Sequence, residues 1–192
     1  FMTIAIDMVG TNLRSGTRTY NINFCKYLSH KKLKNKIYIF ITHNYYKELK
    51  TNNPNITYIL KPNYLSNTTS RFLWMQFILP FELKNLAVKR LYSPMNISPL
   101  ILKLLNIKLI LALHSNLPWT YFEKMPGNLF KNFFIRFIME KSIKASDVLI
   151  VCSDFAKKEI TRVLKIKKKK IVSIYLGVDQ TFLKNIFQRL LP

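Results

Sequence analysis

Apolar and polar positions along the chain switch repeatedly between two periods. Residues 3–7 (TIAID) form a short apolar run that ends in an acid and meets a polar loop holding Gly10, Ser15 and Gly16, the pattern of a strand feeding a turn. From 18 to 30, Tyr20, Phe24, Tyr27 and Leu28 recur at helical spacing and predict a helix with one packed stripe. Residues 36–42 (KIYIFIT) return to strand character, rich in Ile and aromatics. A short helix at 44–49, a strand at 56–60 and a helix at 71–83, closed near Pro80, continue the alternation.

The second half repeats the pattern. Residues 89–92 predict a short strand, 98–105 a short helix, and 108–113 (KLILAL) a strand buried on both faces. The longest helix is expected at 130–144, and 147–152 (DVLIVC) forms another buried strand. A helix over 153–164 follows, with Ser153 as its N-cap and Asp154 beside the positive end of its dipole. Residues 171–174 give the last strand. Parallel neighbours need a crossover that covers the sheet face, so strands alternating with helices predict an α/β fold with a doubly wound, mostly parallel sheet. The length suits one domain.

Composition changes this picture in one respect. The chain carries 31 Lys plus Arg against 9 Asp plus Glu, a formal charge of +22, yet 49% of its residues are apolar, which excludes the disordered class. The 24 lysines and 17 asparagines also fit the drift of an AT-rich genome, under which many lysines are neutral surface choices. Cys25 and Cys152 lie far apart, so neither a disulfide framework nor a zinc site is suggested, and a reducing compartment fits best. The first ten residues lack a basic segment and carry Asp7 within their apolar run, unlike a cleavable signal peptide. The apolar stretch 97–113 is interrupted by Lys103, Asn106 and Lys108, too polar for a bilayer span.

In such sheets ligands bind at the carboxyl ends of the strands, which selects the residues to weigh. Gly16 opens a helix and would let backbone N–H groups approach a phosphate, with Arg14 and Arg18 adding charge; the competing reading is an ordinary strand-to-helix turn. No G-x-G-x-x-G and no G-K-[ST] accompanies it. His114 ends a buried strand at the ligand edge, either as a site residue or as a capped loop histidine. A carboxylate pair for glycoside hydrolysis, a G-x-S-x-G elbow and a D-x-D metal clamp are all missing, and only Asp7 and Glu123 lie near the candidate turns. Phe130, Phe133, Phe134, Phe137 and Ile138 form an aromatic stripe beside Lys131, Arg136, Lys141 and Lys144. Such a stripe more often packs in a core, but it also suits peripheral contact with anionic lipid. No nucleic-acid module is recognisable.

The order of TIAIDMVGTNLRSGTRTYNINFCKYL, RFLWMQFILP, LYSPMNISPL, LILALHSNLPW and ASDVLIVCSDFAKKEITRVLKIKKKKIVSIYLGVD resembles the N-terminal half of family 4 glycosyltransferases of the GT-B fold. The resemblance spans nearly the whole chain and is most specific from Ala145 to Asp179. It implies a Rossmann-like acceptor-side domain over residues 1–176 and the start of an interdomain crossover over 177–192, with the C-terminal donor domain absent. It also implies retaining transfer from a nucleotide-sugar to a glycan or lipid-linked acceptor, with no metal and no cofactor. By this resemblance Gly16, with Thr17 and Arg18, falls near donor phosphates and acceptor, His114 opposite the transferred sugar, and Ser153 as a polar cap at the cleft edge.

Two departures from the family pattern stand out. Where relatives often read S-G-x-G-R-Y, this chain has Ser15-Gly16-Thr17-Arg18-Thr19-Tyr20, and the common His-Asp is His114-Ser115. None of the five glutamates has another eight residues later, so the family's donor-holding E-x7-E motif is missing. The expectation is therefore a domain that is inactive without a C-terminal partner, in polysaccharide or glycolipid synthesis, cytoplasmic or peripheral on the inner face of the cell membrane. The alternatives are a non-catalytic basic module that docks on anionic membrane or on a separate donor-binding partner, and a truncated gene product.

Overall fold

The computed structural model describes residues 2–10, 16–125, 127–166 and 170–177. Arg14, Ser15, Lys167, Val178, Asp179 and most of the expected crossover lie outside them. Among the described residues, seven strands form one sheet: β1 (Thr3–Asp7), β2 (Lys36–Thr42), β3 (Ile56–Lys61), β4 (Arg90–Ser93), β5 (Lys108–Leu113), β6 (Val148–Val151) and β7 (Ile171–Ser173). Their spatial order is β3-β2-β1-β4-β5-β6-β7 and every pairing is parallel. This is an α/β, Rossmann-like sheet.

The chain moves one way from β1 to β3 and the other way from β4 to β7. Right-handed crossovers therefore put the two sets of helices on opposite faces. Helices α1 (Gly16–Ser29) and α2 (His43–Leu49) pack Cys25, Leu28, Tyr45 and Leu49 against Met8, Ile37, Ile39 and Ile41. On the other face, α3 (Thr68–Leu73) and α4 (Leu79–Asn85) bury Leu79 and Leu83 against Ala5, Phe40, Leu91 and Leu109. A short α5 (Leu117–Thr120) leads to α6 (Leu129–Ala145) and, after β6, to α7 (Asp154–Leu164); these bring Trp119, Met139, Ile143 and Ile160 onto Leu111, Leu113, Leu149 and Val151. The unbroken apolar run of β5 follows: Leu109, Leu111 and Leu113 face one layer, and Ala112 with Ile110 the other.

Most predicted elements fall within one or two residues of those found, and the departures have local causes. The helix expected to close near Pro80 continues to Asn85. A π turn over Trp74–Ile78 precedes the proline, so Pro80 sits in the first turn of α4, where its missing N–H costs little. The helix predicted over 98–105 shrinks to a 3-10 turn at Leu102–Leu105, after Pro99 and before Asn106 at φ 55°. Ser153 caps α7 as expected, accepting the Ala156 N–H at 3.1 Å. The core reading of the α6 stripe is overturned. Ile138 is buried, but Phe130, Phe133, Phe134 and Phe137 are exposed, because Asn132, Met139, Ser142 and Ile143 form the inner face of α6. Cys25 is buried, whereas Cys152, at the end of β6, is only partly so. No helix among the described residues is long and apolar enough to cross a membrane.

One polar interaction fixes the end of β1. Asp7 is fully buried, and its Oδ2 accepts from an Arg71 Nη2 at 3.2 Å, while Oδ1 accepts the Val9 N–H at 3.1 Å. Arg71 also donates through Nε to the Val9 carbonyl at 2.6 Å. The same guanidinium stem lies against Gly10, whose φ is +78°; a Cβ there would stand 2.3 Å from Arg71 Cδ. Arg71→Ala would strand a buried carboxylate and is expected to lower unfolding stability by about 3–5 kcal/mol. Gly10→Ala should also destabilise, whereas Gly16, with open space where a Cβ would go, should accept Ala within about 0.5 kcal/mol. Urea melts of the three variants read this order, and a wild-type midpoint for Arg71→Ala would refute it.

Candidate active site

The strand order reverses beside β1, so the carboxyl ends of β1, β4 and β5 frame the switch point at which ligands bind in such sheets. Gly16 is exposed at the N-terminus of α1, where backbone N–H groups and the positive end of the helix dipole face the edge. His114 follows β5 directly. One turn into α1, Tyr20 lays its ring against the His114 imidazole, with centroids 4.7 Å apart and planes at 62°. The Tyr20 hydroxyl is hydrogen bonded to that of Tyr92, at the end of β4, and Phe24 packs against both rings. The first turns of α1 and the end of β5 are thus joined by an aromatic cluster on one edge.

His114 is held from two directions. Its backbone N–H donates to Asn96 Oδ1 at 2.7 Å, and Nε2 lies 3.0 Å from the Pro94 carbonyl oxygen. A carbonyl can only accept, so Nε2 carries the hydrogen and Nδ1 is the remaining acceptor of the neutral ring. Burial holds its pKa below the ordinary 6.5, acting against the Pro94 hydrogen bond, so the imidazole is neutral near pH 7. Asn96 reaches its position with φ 63°, a left-handed conformation that asparagine tolerates better than most residues.

The other predicted residues are placed less centrally. Thr17 lies half-buried in the first turn of α1. Arg18 turns to α2, where its Nη2 meets Glu48 Oε2 at 2.5 Å, so a phosphate near Gly16 would compete with that carboxylate. Ser153 stands at the end of β6, one strand beyond His114; its hydroxyl is engaged as an acceptor and keeps a proton to donate. Arg14 lies outside the described residues. Asp7 is spoken for by Arg71; burial raises its pKa above the ordinary 3.8 despite the guanidinium, which makes it a structural acid and not an accessible base.

The sequence alone does not mark Tyr20, Tyr92, Pro94 and Asn96 as site residues. The signal available is a paired one: PMN after β4 and HSN after β5 are turns at adjacent strand ends, each carrying an asparagine. Burial drives the Tyr92 phenol pKa upward, so its hydroxyl stays neutral. A hollow of about 390 Å3 between α1 and α2, lined by Ile22, Cys25, Lys26, His30 and Glu48, includes neither Gly16 nor His114.

A search of the curated proteins finds no match. A glycosyltransferase from Rickettsia africae ESF-5 superimposes with a TM-score of 0.54 at 19% identity, covering 100% of this chain and 50% of that one. The lipopolysaccharide outer core galactosyltransferase WaaB, in its apo form, gives 0.54 at 14% identity over 93% of this chain and 46% of its own. The wall teichoic acid polymerase TagF gives 0.50 at 14% identity, covering 99% and 44%. These likenesses concern the fold, and the chain spans about half the length of each structure it matches. The model of Glycosyltransferase Family 4 matches residues 14–182, and the chain belongs to that family.

Proposed function

We propose that the chain supplies the acceptor side of a retaining, metal-independent glycosyltransferase that moves a sugar from a nucleotide-sugar to a glycan or lipid-linked acceptor. It works together with a donor-binding half. The observation that carries this reading is the Tyr20–His114 contact, which draws the start of α1 and the end of β5 onto one edge of a family 4 domain. As the bond to the leaving diphosphate breaks, positive charge grows on the sugar ring. A neutral His114 beside that ring does not repel the charge as an imidazolium would. Its bond to Pro94 fixes the ring, so no reorganisation is needed during the reaction. Backbone N–H groups at the start of α1 favour the departing phosphate, at Gly16 and Thr17 in particular, and the Ser153 hydroxyl donates to acceptor or sugar. The unpaired cysteines suit the cytoplasm, where the reading places the protein.

In the protein carrying its donor-binding half, His114→Ala is expected to lower kcat/KM for sugar transfer roughly 10²-fold, the usual cost of losing one preorganised polar group. Gly16→Ala should impair transfer while leaving the melt unchanged, separating close ligand approach from folding. The product anomer, read by proton NMR, should match that of the donor. Normal turnover by His114→Ala removes the role assigned to it.

The imidazole also predicts a pH effect. The folded pKa of His114 lies below 6.5 while the unfolded chain titrates near 6.5, so on acidification the unfolded state takes up this proton first. This residue therefore lowers stability as pH falls below about 6.5, down to its folded pKa. An NMR titration of the His114 ring protons should give a midpoint under 6.5, and one at or above it overturns the burial argument.

A further inference from the structure

The hollow of about 390 Å3 between α1 and α2 lies along the second half of α1 and the end of α2, apart from Gly16 and His114. Its size falls in the range of small-molecule clefts. Its apolar wall is formed by Ile22, Cys25 and Leu49, the last two almost wholly buried. Burial pushes the Cys25 thiol up to about 12, so that wall carries no negative charge near pH 7.

Lys26, His30 and Lys50 stand exposed around the hollow. Lysines near helix ends ordinarily serve the last carbonyls and the negative end of the dipole. Here other donors take those carbonyls. In the last turn of α1, Ser29 Oγ donates to the Lys26 carbonyl at 2.6 Å and Asn53 Nδ2 to the Leu28 carbonyl at 3.0 Å. At the end of α2, the Lys50 N–H closes on the Tyr46 carbonyl at 2.9 Å and the Tyr58 hydroxyl donates to the Leu49 carbonyl at 2.9 Å. Among the described residues, the side chains of Lys26 and His30 enter no hydrogen bond or ion pair, and the Lys50 ammonium lies only over the Tyr46 ring, at 5.8 Å. Glu48, the carboxylate on this wall, already meets Arg18 Nη2 at 2.5 Å, so its charge is balanced within the protein. Two ammonium groups without a counter-charge thus stand at the mouth of an apolar-walled hollow, which suits a ligand with an anionic head on an apolar body.

We infer that the hollow between α1 and α2 binds a small organic anion, a phosphate monoester or a carboxylate, with its acidic group held by Lys26 and Lys50 and its apolar body against Ile22 and Leu49. The inference stands apart from the sugar-transfer reading, since it needs no donor, no acceptor and no role for His114.

An NMR titration of the 15N-labelled chain with phenyl phosphate tests this, with benzoate, inorganic phosphate and phenol as the other probes. Phenyl phosphate and benzoate are expected to saturate one site and shift the amides of Ile22, Lys26, Leu49 and Lys50; the tighter of the two names the acidic group preferred. Inorganic phosphate lacks the apolar body and phenol the charge, so each should bind at least about tenfold more weakly. The double variant Lys26→Gln, Lys50→Gln changes only exposed side chains, so its circular dichroism should match wild type while its affinity for phenyl phosphate falls by a similar factor. Lys131→Gln with Lys141→Gln, on α6, removes the same charge elsewhere and should leave the affinity unchanged. An equal loss in the two double variants, or shifts spread over the basic surface without saturation, overturns the inference and assigns binding to the +22 charge as a whole. Phenol binding as tightly as phenyl phosphate overturns it as well, leaving an apolar pocket with no preference for anions. So does the absence of a saturable shift with any of the four probes.

Discussion

The Asp7–Arg71 pair is the constraint on which the ligand edge depends. It joins the end of the first strand to a helix that begins more than sixty residues later, on the other side of β3 in the chain. Taking both charges out of water is costly, and the pair is tolerated because each partner is further satisfied, Asp7 by the Val9 N–H and Arg71 by the Val9 carbonyl. The result is a turn in which Val9 and Gly10 have no freedom, with Gly10 at a φ that other residues resist. The pair thus fixes the described turn after β1, at the carboxyl edge of the sheet.

A second layer rests on the first. Tyr20, in the first turns of α1, reaches His114 just past β5 and bonds Tyr92 near the end of β4, the neighbouring strand. Phe24 then fills the space between Tyr20 and Tyr92. These rings take water away from the imidazole, and the loss of water favours its neutral form. One packing arrangement thus orients His114 and sets its charge state, and Asn96 closes the arrangement by capping the backbone at the same residue.

The strands were legible because each is an apolar run bounded by polar turns: residues 36–42 and 108–113 match β2 and β5 to the residue. Ser153 was legible for a similar reason, since an N-cap acts within three residues of itself. Long-range pairing was not. Asp7 looked like a candidate acid near a turn, and nothing local tells that Arg71 occupies it. Pro80 misled because its local rule, helix termination, yields when a π turn shifts the register just before it. The α6 phenylalanines misled because periodicity locates a stripe without saying which side faces the sheet, and the inner side here is built partly of Asn132 and Ser142. Those two polar residues hide the core face from any pattern based on hydrophobicity. Ser142 is buried because its hydroxyl takes the Ser98 N–H at 3.1 Å, a contact set by the loop after β4.

Under the proposed reading, the distribution of cations at the edge bears on what a donor-binding half would have to add. A departing nucleotide diphosphate needs positive charge that is not already committed. Among the described residues, Arg71 at the carboxyl end of β1 and Arg18 at the start of α1 are both engaged, the first with buried Asp7 and the second with Glu48. Most of the +22 charge resides in lysines, and those with described cation–ring contacts, Lys31, Lys36, Lys50, Lys61 and Lys141, meet rings other than Tyr20, Phe24 and Tyr92. The start of α1 contributes a partial charge of about one-half, too little to balance a diphosphate. Under the proposed reading the missing charge has to come from across the cleft, and the edge described here does the complementary work of fixing geometry and keeping His114 neutral.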